Sequence, residues 1–138
     1  MPIRPTHAST DNPLLRKMPA TYLIDSNRKL VTSRLWGAVS EDELHDHNQR
    51  LRADPEFAPD YRQLTDVTEL TEILIGSKAI IQTAIDHFFA PGTRRAIVAS
   101  TDATFGMARM FALQSEAAGQ TIEVFREMCK AEEWLEIA

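Results

Sequence analysis

The stretch RRAIVASTDATFGMARMF, residues 94–111, decides how this chain is read. A short apolar run, AIVA, meets a polar break, STD, and a helical pattern follows. Strand, loop and helix in that order form the repeating unit of α/β domains. RAIVA (95–99) has apolar residues on both faces, as expected of a central, parallel strand. The helix then runs over 103–118 and stops at Gly119.

The same alternation continues in both directions. Upstream, SKAIIQTAIDHFFA (77–90) places Ile81, Ala84, Ile85 and Phe88 at i, i+3, i+4 and i+7, the stripe of a buried helix face, and Pro91-Gly92 ends it. YRQLTDV (61–67) reads as a third strand, while TELTEILIG after it fits neither period. Downstream, TIEVF (121–125) is a strand and REMCKAEEWLEI (126–137) a last helix. Near the start, TYLID (21–25) and KLVTSRLWG (29–37) flank the turn residues SNR and predict a hairpin. Ser40 with Glu43 is a capping box, so a helix begins there. It runs to about Arg52, with Leu44, Asn48 and Leu51 on one face, and DPEFAPD (54–60) is a loop.

The expected fold class is therefore α/β. A single domain over 21–138 holds a mixed sheet of about five strands, an antiparallel hairpin followed by parallel βα units, flanked by about four helices. Residues 1–20 carry Pro2, Pro5, Pro13 and Pro19 and read as an extended arm. Such an arm lies on its own domain or on a second copy, which suggests a homodimer.

Composition narrows the function. A chain of 138 residues suits one domain and needs no disulfide or metal staple. A net charge of -5 argues against nucleic acid or an anionic membrane as partner. Cys129 is the single cysteine, so no intrachain disulfide forms. No apolar run reaches the ~20 residues of a membrane span. The N-terminus has no secretory h-region, and a cytoplasmic location is expected.

The motifs argue mostly against chemistry. At Thr101-Asp102-Ala103-Thr104 the helix start could draw an anion, but Asp102 brings its own carboxylate and caps the free N–H groups. I-G-S-K (75–78) lacks the first glycine of a P-loop and has serine and lysine reversed. Ser77 reads as an N-cap or as a phosphorylation or contact site. His45 and His47 point about 200° apart on a helix and share no metal; Glu41–His45 and Glu43–His47 are surface pairs. His87 reads as partly buried. Cys129, among Glu127, Glu132 and Glu133, is an inert packing residue. Arg34 and Trp36 share one face of the second strand, with Trp36 in core or interface. There is no G-x-S-x-G and no nucleophile–base pair, so no enzyme, no metal and no cofactor is expected.

Two sets of residues remain as candidate sites. If strands three and four are neighbours, Asp66, Thr68, Ser77, Thr101 and Asp102 gather along one rim, where a partner or ligand docks. The bland alternative is that they are caps and turn residues. Phe88, Phe89, Phe105, Met107 and Phe111 line an apolar pocket or are plain core.

The element order, with DVTEL after strand three and GSKAII opening the next helix, resembles the STAS fold of anti-sigma-factor antagonists and of sulfate-transporter tails. The motifs SRLWGAVS, YRQLTDVTEL, PGTRRAIVAS and FGMARMF look like those of small bacterial STAS-like proteins that share the architecture of CRAL-TRIO lipid carriers. The resemblance covers about residues 20–137. In the signalling members a strand ending D-L-S is followed by D-S-S-G-L, whose serine is phosphorylated. Asp66-Val67-Thr68 is similar to the first part, and Ser77 lies about one residue beyond the switch position. Leu74 or Ile75 stands where the second aspartate would be. The resemblance implies a non-enzymatic regulatory or protein-interaction domain, with a small-molecule or lipid-binding module as the alternative.

Overall fold

The computed structural model describes residues 19–137. All but the last two residues of the proline-rich arm lie outside that range. Alternating apolar residues form the first two strands, Ala20–Asp25 (β1) and Leu30–Ser40 (β2), paired antiparallel from Ala20↔Leu35 to Asp25↔Leu30. The Asp25 carboxylate accepts from Arg28 N and Nε and so holds the turn between them. β2 runs directly into helix α1, Glu41–Ala53, through a full capping box of Ser40 and Glu43. The remaining units follow as β3 (Arg62–Leu74), α2 (Ser77–Ile85), β4 (Arg94–Val98), α3 (Asp102–Ala117), β5 (Thr121–Phe125) and α4 (Met128–Leu135).

The sheet order is β1-β2-β3-β4-β5, parallel from β2 to β5. Each crossover steps to the next strand in the same direction, so right-handed connections leave all three crossover helices on one face. α2 and α3 accordingly pack toward Val67, Ile97 and Ile122, and α1 places Leu51 beside Val31 and Tyr22. α4 covers the other face through Leu30, Leu64, Ala96 and Val98.

Three expectations need correction. The ambiguous TELTEILIG extends β3 to Leu74, because its edge pairs with the far half of β2, Trp36↔Glu69 through Ser40↔Leu74. Helix α2 stops at Ile85, five residues short of the expected end. Its buried residues are Ile80 and Ala84, while Ile81 and Ile85 are exposed. The reason is aromatic packing: Phe88 and Phe89 leave the helix and stack with each other and against Phe57, 5.5 and 5.2 Å away. Cys129 is exposed and not a packing residue, since α4 turns Ala131 and Leu135 to the sheet.

Candidate functional site

On the inward faces of β2, β3 and β4, polar side chains sit among apolar ones. Ser33, Gln63 and Arg95 point to the α1–α3 side, and further along the same face come Leu35, Val67 and Ile97. Gln63 and Arg95 are register partners on adjacent strands. Buried polar groups must find partners, and here they find one another. Arg95 Nε donates to Gln63 Oε1 at 3.1 Å, and Nη1 to Gln120 Oε1 at 3.0 Å. An arginine only donates, so both amides are oriented by it. Gln120 Nε2 then donates to the Phe89 carbonyl and Gln63 Nε2 to Ser33 Oγ. Ser33 Oγ lies 3.4 Å from His47 Nε2. With Gln63 Nε2 donating to Ser33 Oγ, assigning the Ser33 hydroxyl proton to His47 Nε2 places the His47 proton on Nδ1.

Above this polar chain lies a cavity of about 720 Å3. Its existence follows from how the helices pack. α2 packs mainly on α3 and not on α1, so the layer over β2 and β3 stays parted. The floor is Leu35, Val67, Leu70, Ile97 and Ile122, and α3 contributes Met107, Ala108 and Phe111. Ser33, Gln63, Arg95 and His47 close the polar end. The mouth carries Glu41, Asp42, His45 and Arg52 from the α1 side and Lys78, Gln82 and Asp86 from the α2 side.

Two ionisable groups in the cavity wall are perturbed by burial. His47 is held down to about 4, first by desolvation and then by the nearby Arg50 charge, with Asp46 acting the other way. It is therefore a neutral imidazole at pH 7, and its Nδ1 has no hydrogen-bond partner. Arg95 is only 8% exposed, and burial pushes its guanidinium down to about 9. No carboxylate pairs with it among the described residues. Two aromatic rings lie against it, with Phe89 at 4.2 Å and Phe111 at 5.9 Å from its Cζ.

The expected rim divides. Asp66 Oδ1 accepts from Thr68 N and Oγ1, and Ser100 Oγ donates to the Thr68 carbonyl, so the ends of β3's paired half and β4 do meet. Thr101 caps α3 in a capping box with Thr104, and this replaces the capping role read for Asp102. Asp102 instead pairs with Arg126 at 2.9 Å. Ser77 is not with them. β3 continues past Asp66 to Leu74, roughly 25 Å of strand. Nor is Ser77 a cap, because Gly76 holds the N-cap position and its N–H donates to Glu41. Ser77 is the exposed first residue of α2.

Of the aromatic set, Phe88, Met107 and Phe111 line the cavity. Phe89 is buried behind Arg95 in the α1 cluster, and Phe105 sits under the Arg126 guanidinium at 4.2 Å. His45 is exposed and His47 buried, which separates them as their spacing required. The expected Glu43–His47 surface pair does not form, since Glu43 turns back to the Ser40 N–H. Trp36 is half-buried with Arg34 over its ring. No group of three or more His, Cys, Asp or Glu side chains is arranged to hold a metal among the described residues. No helix among them is long and apolar enough to cross a membrane.

Sequence reading missed Ser33, Gln63, Arg95, His47 and Gln120. A signal existed in the period-2 pattern, which puts Ser33 between Val31 and Leu35, and Arg95 beside Ile97, at inward positions, with Gln63 on the same face of β3.

No family model matches the chain, and no curated protein matches it. Among solved structures it is similar to an uncharacterized protein from the DUF3478 family, with a SpoIIAA-like fold, from Shewanella loihica PV-4. The identity is 15%, the TM-score 0.56, and the match covers 84% of this chain and 93% of the other. The five-stranded mixed sheet, its strand order and its four described helices thus constitute a SpoIIAA-like, STAS-like α/β fold.

Proposed function

We propose that this protein is a STAS-like binding domain that takes a small, largely apolar molecule between α1, α2 and the sheet. The carrying observation is the cavity of about 720 Å3, inside the roughly 300–1,000 Å3 range of small-molecule sites. Well-packed interiors leave few voids larger than a water molecule, so a space this size is no packing defect. Its mostly aliphatic and aromatic floor with a few convergent polar atoms is the usual composition of such a site. A partner-docking rim has less behind it: the polar atoms of Asp66, Thr101 and Asp102 are engaged within the chain, and Ser77 is remote from them.

Native mass spectrometry tests the reading on protein purified without added ligand and again after incubation with straight-chain acids and alcohols. The expected result is a discrete adduct that disappears on denaturation. It should also be absent from Thr65→Phe, which fills the cavity from β3. An adduct that persists in a folded Thr65→Phe variant, or no adduct under either condition, overturns the proposal.

A further inference from the structure

The cavity has one feature that an apolar site does not need. Arg95 brings a buried positive charge to its polar end, and its hydrogen-bond acceptors, Gln63 and Gln120, are neutral. An uncompensated buried charge is costly, and neutral acceptors and ring faces offset only part of that cost. Nε and one proton of Nη1 are committed to the glutamines, while Nη2 makes no hydrogen bond among the described residues. Nδ1 of His47 is a second polar atom without a hydrogen-bond partner in the same wall.

Resting on the reading of the cavity as a ligand site, we propose that Arg95 anchors a carboxylate and that the ligand is a monocarboxylic acid with an apolar body. The carboxylate accepts from Nη2 and the free Nη1 proton, and the body lies over Leu35, Val67, Ile97 and Met107. Charge counting favours a single negative charge. One guanidinium faces the buried end, and the mouth carries three carboxylates, Glu41, Asp42 and Asp86, against two cations, Arg52 and Lys78. A dianionic phosphate would leave a second charge uncompensated in the buried end. A fork of parallel N–H donors also matches the planar geometry of a carboxylate.

Isothermal titration of the full chain with octanoate, decanoate and dodecanoate, each beside the alcohol of the same length, tests this. The acid should bind roughly 10- to 100-fold more tightly than its alcohol, the value of a hydrogen bond to a charged group. Arg95→Gln should erase that difference. A second measurement needs no variant: the Arg95 Nε–H resonance should shift on adding the acid and stay in place on adding the alcohol. Equal affinities for acid and alcohol overturn the carboxylate proposal and leave the cavity reading standing. An acid preference that survives in Arg95→Gln, or leaves the Arg95 resonance unmoved, also overturns it. If neither series binds, both readings fall together.

Discussion

On one face of the sheet, α4 lies directly on Leu30, Leu64, Ala96 and Val98, and Ala131 and Leu135 close the contact with no exposed surface. On the other face, α1 and α2 stand apart over the same strands, and a cavity of about 720 Å3 remains between them. The strands are shared, so the difference lies in which residues alternate inward. The α4 side buries Leu30, Leu64, Ala96 and Val98 beside Phe125, while Arg62 and Arg94 at its edge donate to the carbonyls of Leu135 and Trp134 at the end of α4. The other side receives Ser33, Gln63 and Arg95 from three adjacent strands. Dry packing over those groups would strand their hydrogen-bonding atoms at about 1–3 kcal/mol each. They bond sideways to one another instead.

The comparison can be broken most sharply on the closed face. Leu135→Ala should cost about 2–5 kcal/mol in urea unfolding, because the site is fully buried and its neighbours are sheet residues that cannot follow. A loss under about 1 kcal/mol would mean that α4 adapts and that the face is not closed as described. The second test enlarges an alanine on each side. Ala96→Leu, on the closed face, should lose about 1–3 kcal/mol by overpacking. Ala108→Leu, in the cavity wall, should lose under about 1 kcal/mol and weaken ligand binding. Equal losses at the two alanines would remove the distinction.

The last test is a dependence on pH confined to the open face. Burial holds the folded His47 at about 4, below its ordinary 6.5, so the unfolded chain binds the proton more tightly. Stability associated with neutral His47 is full above about pH 6.5 and is lost as pH falls toward 4, by about 3 kcal/mol at most. Urea midpoints measured between those limits should decline for the wild type. They should decline less for His47→Gln, which keeps a polar side chain beside Ser33. Parallel curves for the two proteins would exclude His47 as the source.

Much of the architecture was legible locally. Ser40 and Glu43 mark the start of α1 within four residues of chain, and RAIVA beside a helical pattern marks a βα unit. The reading failed where distant contacts outweighed the local period. TELTEILIG has no clear alternation, yet pairing with β2 makes it strand. Phe88 fits a helical stripe, yet Phe57 holds it in a loop.

The candidate site was less legible still. Asp66, Thr68, Thr101 and Asp102 are residues that cap and turn, and most of them do that. Ser77 was assigned to their rim on the premise that β3 ended near Asp66. The cavity residues Met107 and Phe111 were identifiable as apolar, but whether they faced core or cavity depended on where α2 came to rest.

Sequence alone determined most element types and the parallel α/β plan, because periodicity, caps and motifs are carried by residues close in the chain. Tertiary structure alone decided that Ser33, His47, Gln63, Arg95 and Gln120 form one hydrogen-bonded chain under a cavity. Those residues lie on different elements, and only strand register and helix placement bring their polar atoms within bonding distance, where burial makes each depend on the next.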